Sequence, residues 1–318
     1  MSRATSRTVL RPAPRPGVKD DRPYRTAKTF LAALDPTSER WTGGTWIFRG
    51  HANATWELKP SGAREADAYA KCGFGLANKG RLPAWSVRKF EQDALLADFA
   101  RRLDEAGFTI PVEPPKVRDI PASQPTNAEP LRRVFPLMAL AQHHRLPTLL
   151  LDWTRRPRFA AYFAAAGVVG HEGDPKLGTH LAVMALHLER AVAAVLAATT
   201  DEHGQPGDAF LELYQAPAGT NPNMRAQAGL FTLLSTTSDN CIEPFLAKYV
   251  AECGDESPLQ RLVLPHAEAR KLLRLLSAEG IDGASMFPGA DGVASAIRET
   301  ALWSAATKRR FVTKVRRT

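Results

Sequence analysis

Residues 138–167 read MALAQHHRLPTLLLDWTRRPRFAAYFAAAG and predict a helix, a strand and a second helix in direct succession. The first helix ends near His144, and residues 148–151 form a short apolar strand. Pro157 stands in the first turn of the second helix, where proline is tolerated, and Gly167 is placed as its C-terminal cap. A buried strand between two helices indicates a domain of mixed helices and strands.

A second buried strand is predicted at residues 46–51, which read WIFRGH. The three leading residues favour a strand, and Arg49 and Gly50 end the apolar run. A buried arginine needs an anionic partner. That partner is either a carboxylate of the protein, with Asp152 or Asp291 as the alternatives, or a phosphate or carboxylate of a ligand.

Further elements follow at helical or strand spacing along the chain. Helices are predicted at 86–104, 188–199 and 266–280, and strands at 180–188, 228–236 and 259–265. Because strands and helices are interspersed without a repeating unit, we expect an α+β fold with a mixed, mainly antiparallel sheet and flanking helices.

The net charge of +9 is concentrated at the two ends of the 318 residues. Residues 1–28 contain eight Lys and Arg against two Asp, residues 308–318 contain six Lys and Arg with no acid, and the body carries −3. Such tails bind a polyanion by counterion release or serve only as solubilising arms. A nucleotide or nucleic acid is therefore one expected partner, and the sequence does not identify a regulatory protein partner.

The same composition predicts the domain boundaries. We expect a disordered basic arm at 1–27, one folded domain at 28–305 with a Pro-rich insert near 109–130, and a basic tail at 306–318.

Several classes of protein are not indicated. Cys72, Cys241 and Cys253 match neither a disulfide framework nor a zinc pattern, so no metal is predicted. The sequence has no apolar run suited to a signal peptide or a membrane span, which predicts a cytoplasmic protein without membrane contact. The G-x-S-x-G, H-E-x-x-H and Walker A motifs do not occur. The high content of Ala and Arg indicates a bacterial source.

The junction between the strand and the second helix is a predicted anion site. It reads Asp152-Trp153-Thr154-Arg155-Arg156. The N-terminus of a helix presents N–H groups and a partial positive charge, to which the arginines add. The alternative is that Asp152 or Thr154 caps the helix and the arginines are solvated.

Two adjacent histidines precede this junction. Side chains of neighbouring helical residues diverge by about 100°, so at most one of His143 and His144 points into a given site. His144 is a candidate general acid or base, and a hydrogen bond to the Asp152 region is the alternative.

Several segments in this order resemble the FRG domain family, which is named for one tripeptide. They are FRG with WELKPSGAR, AQHHRLPTLLLDWT with AAYFAA, RAQAGLFT at 225–232, and MFPGADG at 286–292. The resemblance covers about residues 40–300.

A more distant resemblance is to the ADP-ribosyltransferase fold. In one class of these enzymes an arginine in an aromatic-Arg-Gly strand end holds the phosphates and ribose of NAD, and Arg49 beside Gly50 resembles it. A guanidinium suits that role because it is permanently charged and binds phosphate through two nitrogens. The resemblance implies NAD as cofactor, with Asp152 and Thr154 shaping the ribose site and Trp153 or Tyr162 offering a stacking face. It likewise implies cofactor contacts from Arg155 and Arg225.

The catalytic strand of such enzymes carries a glutamate, and here Gln227 occupies the similar position. Glutamine brings no negative charge to a developing cation, so another acid such as Asp152 is needed. A second assignment places the strand motif at 235–237, with Glu243 or Glu299 as the acid.

Two functions follow from the resemblance. The first is an NAD-dependent ADP-ribosyltransferase or NAD glycohydrolase that serves as an effector in bacterial stress or phage defence. The second is a non-catalytic module that binds a nucleotide or nucleic acid.

Overall fold

The computed structural model describes residues 12–20, 23–76, 84–111, 128–199, 209–215, 222–235, 240–254 and 256–315. Its helices are α1 (Ala27–Ala33), α2 (Ser61–Arg64), α3 (Ala84–Glu105), α4 (Ala128–His143), α5 (Pro157–Gly170), α6 (Leu188–Thr199), α7 (Pro222–Ala226), α8 (Glu243–Cys253), α9 (Ala269–Ala278), α10 (Gly283–Met286) and α11 (Ala290–Val315). Its strands are β1 (Lys19–Asp20), β2 (Trp46–His51), β3 (Leu150–Thr154), β4 (His180–His187), β5 (Phe210–Tyr214), β6 (Gly229–Ser235) and β7 (Leu259–Pro265).

The chain forms two compact units, and the first contains both ends of the sequence. Unit 1 consists of Met1–Trp56, Arg156–Leu186 and Leu259–Thr318. Its strands lie in the order β1, β7, β4, β2, with β1 parallel and β4 antiparallel to β7. Strand β4 is buried at seven of its eight positions, which accounts for an apolar run without polar alternation.

Helix α5 packs on β2 and α9 within unit 1. Its contact face is rich in alanine, and Ala160, Ala161, Ala164 and Ala165 are fully buried. Small side chains allow helix and strand backbones to approach closely, so this helix sets the position of the residues around Arg49.

Unit 2 consists of Glu57–Arg155 and His187–Pro258. Its strands lie in the order β3, β6, β5, and both pairs are antiparallel. Helices α3 and α4 supply core residues, among them Leu95, Leu96, Phe135 and Met138. Each large apolar side chain buried in this way contributes about 1.5–3 kcal/mol.

The structure confirms the predicted α+β class and the mainly antiparallel strand pairing. The helix predicted at 86–104 is α3, and the strand predicted at 259–265 is β7. In the described part of the chain no helix combines the length and apolarity that a membrane span needs.

The prediction that Gly167 caps α5 is wrong, because the helix continues to Gly170. A Cβ atom at Gly167 would lie 3.0 Å from the Cβ of Ala52. The glycine therefore serves close packing between α5 and the segment after β2, which the local pattern does not distinguish from a cap.

The N-terminal segment makes defined contacts where the sequence predicts a disordered arm. Strand β1 pairs with β7, the backbone N–H of Tyr24 donates to the carbonyl of Val263 at 2.9 Å, and Thr26 caps α1. Residues 1–11 of the predicted arm, and residues 112–127 of the predicted insert, lie outside the described residues. In the predicted basic tail, α11 continues as a helix to Val315.

Candidate functional site

Arg49 lies in β2 with its side chain half-buried. Its Nε donates a hydrogen bond to Nε2 of His51 at 3.0 Å. That contact requires the neutral tautomer of His51 with its proton on Nδ1. The ring of His51 in turn meets Trp56 edge-on at 6.2 Å. The guanidinium is thus oriented by a buried imidazole two residues along the same strand face.

At Gly50 the backbones of β2 and α5 approach each other closely. A Cβ atom built at Gly50 would lie 2.0 Å from the carbonyl oxygen of Ala160 and 2.6 Å from the nitrogen of Ala164. No side chain fits at such distances, so packing accounts for the glycine of the FRG tripeptide. Its role in cofactor binding stays a prediction.

Tyr162 lies in the core of unit 1 with only 2% of its surface exposed. Its hydroxyl donates to the Glu299 carboxylate at 2.6 Å, and the N–H of Gly283 donates to the other oxygen at 3.1 Å. Burial, with a smaller contribution from Glu299, raises the pKa of Tyr162 above its ordinary value. These hydrogen bonds attach α11 to the core of unit 1 through Glu299. The stacking role of Tyr162 and the catalytic role of Glu299 stay predictions.

Replacing Tyr162 by phenylalanine is expected to lower the free energy of unfolding by about 1.5–3 kcal/mol, the usual worth of a hydrogen bond to a charged group. The ring and its packing are retained, so only the bond to Glu299 is lost. Urea denaturation of Tyr162→Phe, Glu299→Gln and the double variant isolates the coupling between the two side chains. A coupling energy near zero would show that the bond does not hold α11.

Thr154 and Gln227 are brought together within unit 2. Thr154 ends β3 opposite Gly229 of β6, and its hydroxyl donates to the Gln227 carbonyl at 2.7 Å. The backbone N–H of Arg155 donates to the carbonyl of Ala228 at 3.1 Å. Thr154 contacts the backbone carbonyl of Gln227 and not its side chain. The side-chain amide of Gln227 therefore plays no part in this contact.

Asp152 and Trp153 point to opposite sides of β3. Asp152 is exposed and accepts a hydrogen bond from the Gln142 amide at 3.0 Å. Trp153 is 4% exposed, and its indole N–H donates to the Thr232 hydroxyl at 2.9 Å. The pocket beside Trp153 holds about 10 Å³, the room that one water molecule needs. In this structure it has no space for a nicotinamide ring.

The arginines of the predicted anion site are exposed. Arg155 and Arg156 are open to solvent, and the Arg155 guanidinium donates to the Gln215 side-chain oxygen at 2.9 Å. Arg225, for which the resemblance implies a cofactor contact, lies in α7 and is also exposed. The alternative that Asp152 or Thr154 caps α5 is wrong, because the N-cap of that helix is Arg156, which makes no side-chain cap bond.

His144 follows α4 with its side chain exposed. Its ring centroid lies 5.1 Å from that of His143 and 6.4 Å from that of Phe99. Partial burial, and to a smaller extent His144, lowers the pKa of His143. The role of His144 as an acid or base stays a prediction.

The predicted site residues are divided between the units. Arg49, Gly50 and Tyr162 belong to unit 1, and Asp152, Trp153, Thr154, Arg155, Arg225, Gln227 and His144 belong to unit 2. Sequence reasoning missed His51, although the two-residue period of a strand places it on the face of Arg49. It also missed Gln142, which no local pattern connects to Asp152.

Searches of the curated proteins and of the solved structures find no match to this chain. The sequence model of the FRG domain family matches residues 44–172. This range contains β2 with its FRG tripeptide, β3 and α5, whereas the segments at 225–232 and 286–292 lie beyond it. The chain therefore carries an FRG domain at residues 44–172.

Proposed function

We propose that this protein binds NAD through Arg49 and cleaves the bond between nicotinamide and ribose, as the resemblance to ADP-ribosyltransferases implies. The observation that supports the proposal is the setting of Arg49, whose half-buried guanidinium is oriented by the hydrogen bond from its Nε to His51. A bidentate contact to a phosphate would then use the terminal nitrogens of the same plane.

Cleavage of NAD develops positive charge on the ribose, and a carboxylate stabilises that charge. In the assignment that uses Gln227 only Asp152 carries a carboxylate, since Gln227 is neutral. In the proposal the carboxylate of Asp152, which is exposed, supplies the negative charge.

The test is a titration of NAD into the wild-type protein, Arg49→Lys and Arg49→Ala, together with chromatographic detection of nicotinamide. Arg49→Lys retains the charge but loses the two-nitrogen contact, and we expect it to weaken binding by about 10-fold or more. Arg190→Ala, an exposed arginine in α6, is the matched control and should bind as the wild type does. Thermal unfolding of each variant separates loss of binding from loss of fold.

Three outcomes are distinct. Binding with nicotinamide release that falls in Asp152→Asn supports the enzyme, and binding without release supports the non-catalytic module. No NAD binding by the wild type, or unchanged affinity in folded Arg49→Lys, overturns the proposal.

An effector role in bacterial stress or phage defence belongs to the same proposal. Expression of the wild-type protein in a bacterial host should deplete NAD and arrest growth, and the Arg49→Ala variant should not. A host whose NAD content is unaffected by the wild-type protein would contradict this role.

A further inference from the structure

Three side chains of metal-binding type meet in unit 2, although they are far apart in the sequence. A carboxylate oxygen of Glu57, Sγ of Cys241 and a carboxylate oxygen of Glu243 all lie within 4.8 Å of one another. Within the described ranges no other group of three His, Cys, Asp or Glu side chains has donor atoms this close together.

Two of the three donors are buried. Cys241 is 3% exposed and Glu243 is 6% exposed, whereas Glu57 is open to solvent. The Sγ of Cys241 lies 2.9 Å from Oε2 of Glu243. Acidic groups at a protein surface are often close together without consequence, but a carboxylate is rarely buried unless it is paired or coordinates a metal. Burial of a thiol against a carboxylate thus distinguishes this cluster from a solvated acidic patch.

The donors come from two segments, one at Glu57 and one at 241–243, and both segments contribute to the same small apolar pocket. Leu58 and Ile242, the neighbours of the donor residues in sequence, line the small pocket beside Trp153. Ile242 lies between Cys241 and Glu243 in the sequence, and the donor atoms of both come within 4.8 Å of a Glu57 carboxylate oxygen.

We propose that Glu57, Cys241 and Glu243 form a binding site for one zinc-like divalent cation, with a fourth coordination position open to water. Sulfur ligation favours zinc over Mg²⁺ and Ca²⁺, which take oxygen ligands. Bonds of about 2.0–2.3 Å in a tetrahedron place the ligand atoms roughly 3.3–3.8 Å apart. The donor atoms lie within 4.8 Å of one another, so they reach that arrangement through shifts of about 1 Å or less. The site is independent of the proposed NAD site.

One neighbouring cation competes with the metal. Nζ of Lys59 lies 2.7 Å from Oε2 of Glu57. Glu57 therefore ligates through its other oxygen or releases Lys59, and Glu57 is exposed while Lys59 is half-buried. Removal of the Lys59 charge is accordingly expected to strengthen metal binding.

The test uses the full-length, metal-free protein with both exposed thiols removed, as Cys72→Ser and Cys253→Ser. Titration with Co²⁺ is expected to give one ion per chain and a sulfur-to-cobalt charge-transfer band in the near ultraviolet, which Zn²⁺ then abolishes by displacement. Cys241→Ser should remove the band and weaken Zn²⁺ binding by about 100-fold. Loss of a residue that only supports a metal ligand already weakens metal binding by about 10- to 100-fold, so loss of a ligand should cost at least as much.

Glu57→Gln tests the site without disturbing the core, because Glu57 is exposed and glutamine has nearly the same shape. It should weaken Zn²⁺ binding by about 10-fold or more, whereas Glu252→Gln, an exposed acid in α8, should not. Absence of stoichiometric Co²⁺ uptake overturns the proposal. So does a charge-transfer band that survives Cys241→Ser, or Zn²⁺ affinity that is unchanged in Glu57→Gln.

Discussion

Replacing Arg261 by methionine is expected to lower the free energy of unfolding by about 3–5 kcal/mol, the usual cost of leaving one member of a buried ion pair alone. Arg261 is 1% exposed, and its Nε and Nη2 donate to the two carboxylate oxygens of Asp20 at 2.6 and 2.8 Å. Its remaining donors reach the carbonyls of Ala54 and Ala13 at 2.9 and 2.8 Å. Methionine fills the volume but leaves a buried carboxylate and two carbonyls without these donors.

The matched control is Arg270→Met, which breaks an exposed ion pair with Glu172 at 2.6 Å in the same unit. Exposed pairs are worth about 1 kcal/mol or less, so urea denaturation should separate the two variants clearly. The double variant Arg261→Met with Asp20→Leu should recover most of the loss, because both charges are removed together. A change in Arg261→Met as small as that in Arg270→Met would contradict the expectation.

Replacing Gly50 by alanine is expected to destabilise the protein by about 3 kcal/mol or more, at the upper end of the range for overpacking. The added methyl group would overlap the carbonyl oxygen of Ala160, and both atoms belong to regular secondary structure. Relief requires β2 and α5 to separate, which opens the alanine-lined contact along its length. The measurement is the midpoint and slope of urea denaturation.

Gly170→Ala and Gly167→Ala form a graded control within α5. A Cβ at Gly170 meets nothing within 4 Å, and alanine there should be neutral or stabilising by about 0.5–1 kcal/mol. A Cβ at Gly167 lies 3.0 Å from Ala52, so this variant should fall between the other two. If Gly50→Ala is as stable as Gly170→Ala, packing is not the reason for the glycine in the FRG tripeptide.

Local sequence patterns predicted the elements that carry their own signal. Strand β4 has a continuous apolar run from Leu181 to Leu186, α3 has helical spacing, and α5 begins with proline. Each could therefore be assigned from neighbouring residues alone. The same reasoning singled out Arg49 as a buried arginine, because a guanidinium within an apolar strand is unusual. The structure shows its side chain half-buried.

Only the tertiary structure decided the features that depend on contacts between distant segments. Strand β1 has only two residues, too few for a periodic pattern in the sequence. It is defined by its pairing with β7 and by the hydrogen bond that Arg261 donates to Asp20. The meeting of Thr154 with Gln227 depends on the register of β3 and β6, which no local pattern specifies.

The Glu57, Cys241 and Glu243 cluster also depends on contacts between distant segments. Ligand spacing along the sequence argued against a metal, since the three cysteines match no zinc pattern. The fold brings Glu57 to Cys241 and Glu243, so donors that are distant in sequence become neighbours in space. The sequence by itself determined which segments are helices and strands, because periodicity and caps act over a few residues. The tertiary structure decided which polar side chains meet, because that depends on how those segments pack.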